Sequence, residues 1–161
     1  MTTVLLLAAA AFASLFAIAG LSGAPWVPSR TAEVAQALAR TQLGPGKTFC
    51  DLGCGTGTTL VIAARTGARV RGVELNPILW AIASLRLART PNAHVHLGSF
   101  WRYNLSDVDV AFIFSMPRFM DRIGAKFQRE LRPGAQAVSY TFEIPGRRPL
   151  WHSRTSYIYK Y

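Results

Sequence analysis

The sequence predicts one α/β domain, a doubly wound and mostly parallel sheet, behind an N-terminal transmembrane helix. Three observations predict it. Short apolar runs suited to buried strands alternate with stretches whose apolar residues recur at helical spacing. A glycine-rich turn joins the first such run to the helix after it. The first 29 residues carry no ionisable side chain, so the whole formal charge of +10 falls on residues 30–161.

The bulk numbers exclude several classes. At 161 residues the chain is long enough for one domain with a core of its own. Two cysteines, Cys50 and Cys54, cannot make the disulfide framework of a small secreted scaffold. A hydrophobic fraction of 50% excludes a disordered chain. The mean hydropathy of +0.20 is high for a soluble domain, and the excess lies in the first segment.

Val4 to Leu21 is apolar all round, without an amphipathic stripe. Extended to Ala24 it measures ~30 Å as a helix, enough to cross a bilayer, where backbone groups must be satisfied internally. Residues 1–24 therefore read as a transmembrane helix, with residues 4–24 meeting the lipid bilayer. Pro25 ends it and Trp26 suits the interface. A cleaved secretory signal is the competing reading. Against it, no Lys or Arg precedes the run, and the cleavage-like Ser22-Gly23-Ala24 is followed by Pro25. Basic residues follow the segment only on its C-terminal side (Arg30, Arg40, Lys47), which puts the domain in the cytoplasm of a single-pass membrane protein. A prokaryotic inner membrane is favoured, or a mitochondrial membrane in a eukaryote.

Residues 25–46 read as a linker and leading helix. Pro25 and Pro28 stiffen the linker. The helix has Ser29 or Thr31 near its N-cap, Glu33 in its first turn, and Val34 and Leu38 on one face. Gly44-Pro45-Gly46 closes the segment. Residues 47–161 form the domain proper. Thr48 to Leu52 and Val70 to Glu74 are strands ending in or beside acids. A helix begins near Thr58, and Pro77 to Arg89 forms another through Leu79, Ile82, Ala83 and Leu87. His94 to Leu97 and the continuously apolar Val108 to Phe114 are strands. Phe119, Ile123, Phe127 and Leu131 line one helix face, and Pro133-Gly134 turns into the strand Ala135 to Phe142. The alternating Tyr157, Tyr159 and Tyr161 suggest an edge strand.

Spacing narrows the chemistry of Asp51-Leu52-Gly53-Cys54-Gly55-Thr56-Gly57. A phosphate-cradling loop would end in Gly-Lys-Ser/Thr, but Gly57 is followed by Thr58 and Thr59. A dinucleotide fingerprint needs a third glycine at position 58, which is Thr58. What remains, Asp-x-Gly-x-Gly-x-Gly with Glu74 ending the next strand, resembles motif I of the class I S-adenosylmethionine-dependent methyltransferases and their Rossmann-like fold. The residues suit that ligand. It has no phosphate, and its sulfonium and ammonium favour a site rimmed by acids. Asp51 would stabilise the methionine ammonium and Glu74 the ribose hydroxyls. The resemblance places adenine beside Gly98-Ser99-Phe100-Trp101, with Ser99 bonding the base edge and Phe100 or Trp101 packing on its face. The alternative for these aromatics is closing the core. The cofactor-binding residues are thus Asp51, Gly53, Gly55, Gly57, Glu74, Ser99 and Phe100. Ser115, Met116 and Pro117 follow the fourth strand, where ligands bind in such sheets, and would shape the acceptor channel.

Several segments occur in one order: Ala24-Pro25-Trp26-Val27-Pro28-Ser29, the glycine loop, Gly72-Val73-Glu74-Leu75-Asn76-Pro77, Phe112-Ile113-Phe114-Ser115-Met116-Pro117, Ser139-Tyr140-Thr141-Phe142 and Ile144-Pro145-Gly146. Together they resemble the membrane-anchored lysine methyltransferases of the ATP synthase c-subunit and adenine nucleotide translocase, and their prokaryotic relatives. The resemblance implies a protein-lysine N-methyltransferase with a membrane protein as substrate. One stretch departs from it: the family's Ser-Gly-Asp-Gly-Arg is Cys54-Gly55-Thr56-Gly57-Thr58 here. A methyltransferase for a lipid, quinone or other lipid-phase small molecule shares fold and cofactor and remains the alternative.

The other candidates read as structural. The arginines are scattered (Arg65, Arg69, Arg71, Arg86, Arg89) and no base-flipping motif accompanies them, so no nucleic acid partner is expected. No histidine cluster joins Cys50 and Cys54, which read as buried thiols rather than metal ligands. His94 and His96 alternate on a strand with no partner pattern.

Overall fold

The computed structural model describes residues 30–161, together with the isolated positions 2 and 6. Apart from position 6, the predicted membrane segment 4–24 lies outside the described residues, as does the linker to Ser29. Among the described residues no helix is long and apolar enough to cross a membrane.

The elements follow in the order α1 (Thr31–Leu38), β1 (Thr48–Leu52), α2 (Thr58–Ala64), β2 (Arg69–Glu74), α3 (Pro77–Leu87), β3 (Ala93–Leu97), β4 (Val110–Ile113), a 3₁₀ turn (Pro117–Phe119), α4 (Met120–Glu130), β5 (Gln136–Tyr140), β6 (Trp151–His152) and β7 (Ser156–Lys160). They build a seven-stranded sheet in the order β3-β2-β1-β4-β5-β7-β6. The first five strands are parallel, while β7 runs antiparallel to β5 and β6 antiparallel to β7. β1, β4 and β5 are buried on both faces, which is why β4 is continuously apolar.

Each face of the sheet has its own core. Val34 and Leu38 of α1, Leu60 and Ala63 of α2, and Ala83 and Leu87 of α3 pack on Phe49, Phe112 and Val138. On the other face Ile123 and Phe127 of α4 meet Cys50, Leu52, Ile113 and Tyr159. The connection from β3 to β4 crosses this second face without a helix, burying Leu105 and Val108 against the same strands.

Thr31 is the first residue of the leading helix, next to the N-cap Arg30, which makes no side-chain cap bond; Ser29 lies outside the described residues. Three expectations need correction. β4 is Val110–Ile113, shorter than predicted, because its pairing with β1 ends where β1 ends at Leu52. β5 stops at Tyr140, since Thr141 turns to φ +75° and the Ser139 hydroxyl donates to the Phe142 carbonyl at 2.5 Å. The tyrosine-rich tail is not an edge strand: β6, only two residues long, pairs onto its outer side. Tyr159 is fully buried there, and its hydroxyl accepts from Ile144 N at 2.9 Å.

Candidate functional site

Strand order reverses between β1 and β4, so a crevice opens at the carboxyl ends of these strands. The glycine loop forms its floor. Gly53 N and Cys54 N donate to the Val73 carbonyl at 2.8 and 3.1 Å, and Gly57 N donates to the Cys54 carbonyl at 2.9 Å. Gly53, Gly55 and Gly57 have φ of +91°, +55° and +80°, the left-handed region that glycine alone enters without strain. At Gly57 the bare backbone also lets α3 approach, because a Cβ would stand 3.2 Å from Ala83 Cβ. Gly53 differs: a Cβ there would meet nothing within 4 Å. That open face of the loop is where a ligand can come close.

Both predicted carboxylates converge on this loop. Glu74, 6% exposed, accepts from Gly55 N through Oε2 and from Asn76 N through Oε1, each at 2.8 Å. It thereby ties the tip of one loop to the start of the next. Asp51, 3% exposed, pairs in register with Gly72 on the neighbouring strand. Burial first, and then the negative charge of Glu74, push the Asp51 carboxyl up to about 8, although a hydrogen bond from Thr59 works against the shift. Two acids buried this close together form a donor set matched to a cation.

The adenine candidates follow β3. Leu97 pairs with Glu74, and Gly98 N donates to the Glu74 carbonyl at 2.8 Å, so Ser99 and Phe100 come next beside that acid. Both are half-buried. The Phe100 and Trp101 rings, 4.7 Å apart, pack against the core on the α4 face, with Phe119 6.0 Å from Trp101. At the end of β4, Ser115 is 3% exposed and its hydroxyl has no hydrogen-bond partner. Met116 is half-buried, and Pro117 opens the 3₁₀ turn at the surface. The structure thus joins Asp51, the three glycines and Glu74 in one loop cluster, sets Ser99 and Phe100 next to them, and brings Ser115 to the adjacent strand end.

Some participants escaped the sequence reading. Asn76 caps α3, its Oδ1 accepting from Ile78 N and Leu79 N at 2.9 and 3.3 Å, while its buried Nδ2 has no partner. An Asn before Pro at a helix start was the available signal. Arg86 reaches from α3 to brace the glycine loop, donating to the Thr56 carbonyl at 3.3 Å and Thr58 Oγ1 at 3.0 Å. Glu33 accepts from the Tyr140 hydroxyl, to which Arg30 N donates at 3.3 Å. Nothing in the sequence pointed to these last contacts between distant residues. Cys50 and Cys54 are buried free thiols, both pushed up by burial and the nearby acids, which makes them inert. His94 and His96 face solvent. Among the described residues no cluster could hold a metal ion.

A family model, the ANTKMT methyltransferase domain, matches residues 51–151, which run from Asp51 through the crevice to β6. The chain belongs to this methyltransferase family. It is 30% identical over 130 residues to a protein-lysine N-methyltransferase of Saccharolobus islandicus, covering 78% of this chain and 81% of that protein. It is 32% identical over 130 residues to the adenine nucleotide translocase lysine N-methyltransferase of Mus musculus, and 29% over 128 residues to the Xenopus laevis lysine N-methyltransferase of the ATP synthase c-subunit. These alignments cover 78% of this chain and 56% of each relative. The chain therefore spans little more than half the length of those two vertebrate relatives. The fold matches the crystal structure of an RNA methyltransferase from Salinibacter ruber in complex with S-adenosyl-L-homocysteine, with a TM-score of 0.79 at 24% identity, over 83% of this chain and 93% of that one.

The methyl donor of this family and fold is S-adenosylmethionine, and the residues present fit it. The open face of Gly53 admits a ligand against the backbone. Asp51, whose raised carboxyl a bound ammonium would favour in its ionised form, offers charge to that ammonium, and Glu74 offers acceptor lone pairs to a sugar diol. Asn76 Nδ2 and Ser115 Oγ are buried polar atoms in want of partners, a costly arrangement unless a ligand or water completes it.

Proposed function

We propose that the chain is a protein-lysine N-methyltransferase that modifies a membrane protein close to the bilayer surface. The observation that carries this reading is the position of Arg30. Its backbone N–H donates to Tyr140 at the carboxyl end of β5, the same end of the sheet as Asp51, Glu74 and Ser115. A membrane helix over residues 4–24, joined through a linker that ends at Ser29, would deliver its bilayer to the mouth of the crevice. The lysine-methylating relatives support the acceptor type.

S-adenosylmethionine supplies a methyl group on a sulfonium, a good leaving group in an in-line displacement. The chain's residues have three tasks. Asp51 and Glu74 hold the cationic and diol ends. The glycine loop brings the backbone against the ligand and excludes water from that side. The Ser115–Pro117 turn lines the acceptor's approach, where the buried Ser115 hydroxyl can hydrogen-bond the incoming amine. A lysine, with a free pKa of ~10.4, must arrive neutral, and desolvation at this buried strand end favours the neutral form. We therefore assign no general base. The single-pass anchor, with the domain on the cytoplasmic side, is part of the same proposal.

The test uses membranes from cells lacking the enzyme, incubated with the full chain and methyl-labelled S-adenosylmethionine. Label is expected in protein, on a lysine side chain identified by fragment spectra. Label in the organic extract instead would overturn the protein substrate in favour of a lipid or quinone. Two further relatives keep that second reading in view: an amino-sugar N,N-dimethyltransferase of Saccharopolyspora spinosa, 30% identical, and a demethylmenaquinone methyltransferase of Tropheryma whipplei, 31% identical.

A further inference from the structure

The connection between β3 and β4 has no regular structure at its start, yet it bears Ser99 and Phe100. Its shape is imposed from outside, by α4. Lys126, in the middle of that helix, is only 3% exposed. Its Nζ donates to the Tyr103 carbonyl at 2.7 Å, the Trp101 carbonyl at 3.5 Å and Glu130 Oε2 at 2.5 Å. A buried ammonium is unfavourable unless its charge and its donors are matched. Here one carboxylate neutralises it and two loop carbonyls accept hydrogen bonds from its remaining N–H groups. The match is complete: a lysine has three donors, and all three are used.

The same helix grips the loop a second time. One turn earlier, the Arg122 guanidinium stands 3.9 Å above the Trp101 ring, which also meets Phe119 of the 3₁₀ turn. The loop's other flank is tied to β2 and β3, by the Arg71–Asp107 ion pair at 2.7 Å and by the Tyr103 ring 5.5 Å from His96. Glu130 keeps its charge in this half-buried place. Burial alone would raise its carboxyl, but hydrogen bonds from Lys126 and Arg129 hold it below the ordinary carboxylate range.

We infer that Lys126 is a positioning residue for the cofactor. Locked by Glu130, it sets the backbone at Trp101 and Tyr103, and so fixes where Ser99 and Phe100 stand relative to Glu74 along the adenosine half of S-adenosylmethionine. This rests on the cofactor reading of Ser99 and Phe100. A core filler at position 126 would bury the same surface without directing the loop.

The test measures S-adenosylhomocysteine and 5′-methylthioadenosine binding by calorimetry, on the full chain, well below each variant's melting temperature. The two ligands share adenosine and differ at the methionine end. Lys126→Met is expected to weaken both by roughly tenfold, about 1.4 kcal/mol, and Glu130→Gln to weaken both by a smaller factor. In turnover assays the KM for S-adenosylmethionine should rise by a similar factor, while kcat at saturation stays as in the unmodified chain. Folded Lys126→Met with unchanged affinity for both ligands would overturn the proposal. So would a loss confined to S-adenosylhomocysteine, which would move the effect to the methionine end. If Lys126→Met does not fold, Glu130→Gln decides, and unchanged binding there overturns the proposal too. An unmodified chain that binds neither ligand would sink the cofactor reading itself, an outcome distinct from any effect of the variants.

Discussion

Replacing Asp51 with asparagine removes a charge while keeping the shape and a hydrogen-bond partner for Thr59. In the ligand-free protein burial and Glu74 push the Asp51 carboxyl from the ordinary 3.8 up to about 8. Between those values the folded chain holds a proton that the unfolded chain has lost. Stability is therefore fully present below the unfolded value and declines as pH rises towards 8, by at most about 1.4 kcal/mol per pH unit for one proton. The Asp51→Asn variant has nothing to titrate there, so it should lose less stability than the unmodified protein between pH 5 and 8. Cofactor binding should move the opposite way. The ligand ammonium needs an ionised Asp51, so affinity should increase up to about tenfold per unit towards pH 8. Above about pH 8, where Asp51 is already ionised, the rise should level off. Loss of a charged hydrogen bond of roughly 1.5–3 kcal/mol weakens binding by about 10- to 150-fold. Calorimetry with S-adenosylhomocysteine at pH 6 to 9, with thermal melts in the same buffers, reads both effects. Unmodified protein whose affinity is flat from pH 6 to 8, or an Asp51→Asn variant that binds normally, would refute the assignment.

Two glycines should separate folding from binding. At Gly57→Ala the new methyl meets Ala83 at 3.2 Å in a left-handed conformation, so stability should drop by about 1–2 kcal/mol or more, on the order of the left-handed penalty plus the contact. Gly53→Ala has the same kind of φ but open space, so it should lose about 1–2 kcal/mol to the left-handed penalty alone, less than Gly57→Ala, and yet lose most cofactor affinity; normal binding would show that no ligand approaches there. At the opposite end of the sheet, Asp109 accepts from Thr48 N at 2.8 Å, from Lys47 at 3.3 Å and from Arg132. Burial alone would raise its carboxyl, but these partners hold it below the ordinary range. Its stabilisation is therefore present above about pH 4 and lost as pH falls through the lowered value. Asp109→Asn should cost about 1–3 kcal/mol in denaturant titrations at pH 7 and leave cofactor affinity unchanged.

Much of the cofactor site was legible because its signals are local. Glycines needed at positive φ, an acid at or near the end of each of two strands, and the alternation of strand and helix all lie within residues 48–99. Glu74 was recognised, but its second task was not. It clamps Gly55 N and Asn76 N, and a carboxylate that bonds backbone carries no sequence signature. Lys126 was invisible for a related reason. On a helix with polar neighbours it reads as one more solvated charge, and only the packed structure shows a loop folded over it. The tail was misplaced because two residues, Trp151 and His152, suffice to cover β7, and no periodicity can be read from a pair.

Local stereochemistry and hydrophobic period thus settled from the chain alone most of the strands and helices, which turn must be glycine, and which acids end strands beside it. Those properties depend on a residue and its near neighbours. The register that sets Asp51 against Gly72, the shared burial that lifts its carboxyl, the α4 lysine under the adenosine loop, and the contact that brings Arg30 to Tyr140 join residues up to 110 positions apart. Such contacts are chosen by how whole elements pack and by which buried polar groups can be paired once they do. That choice exists only in the folded chain.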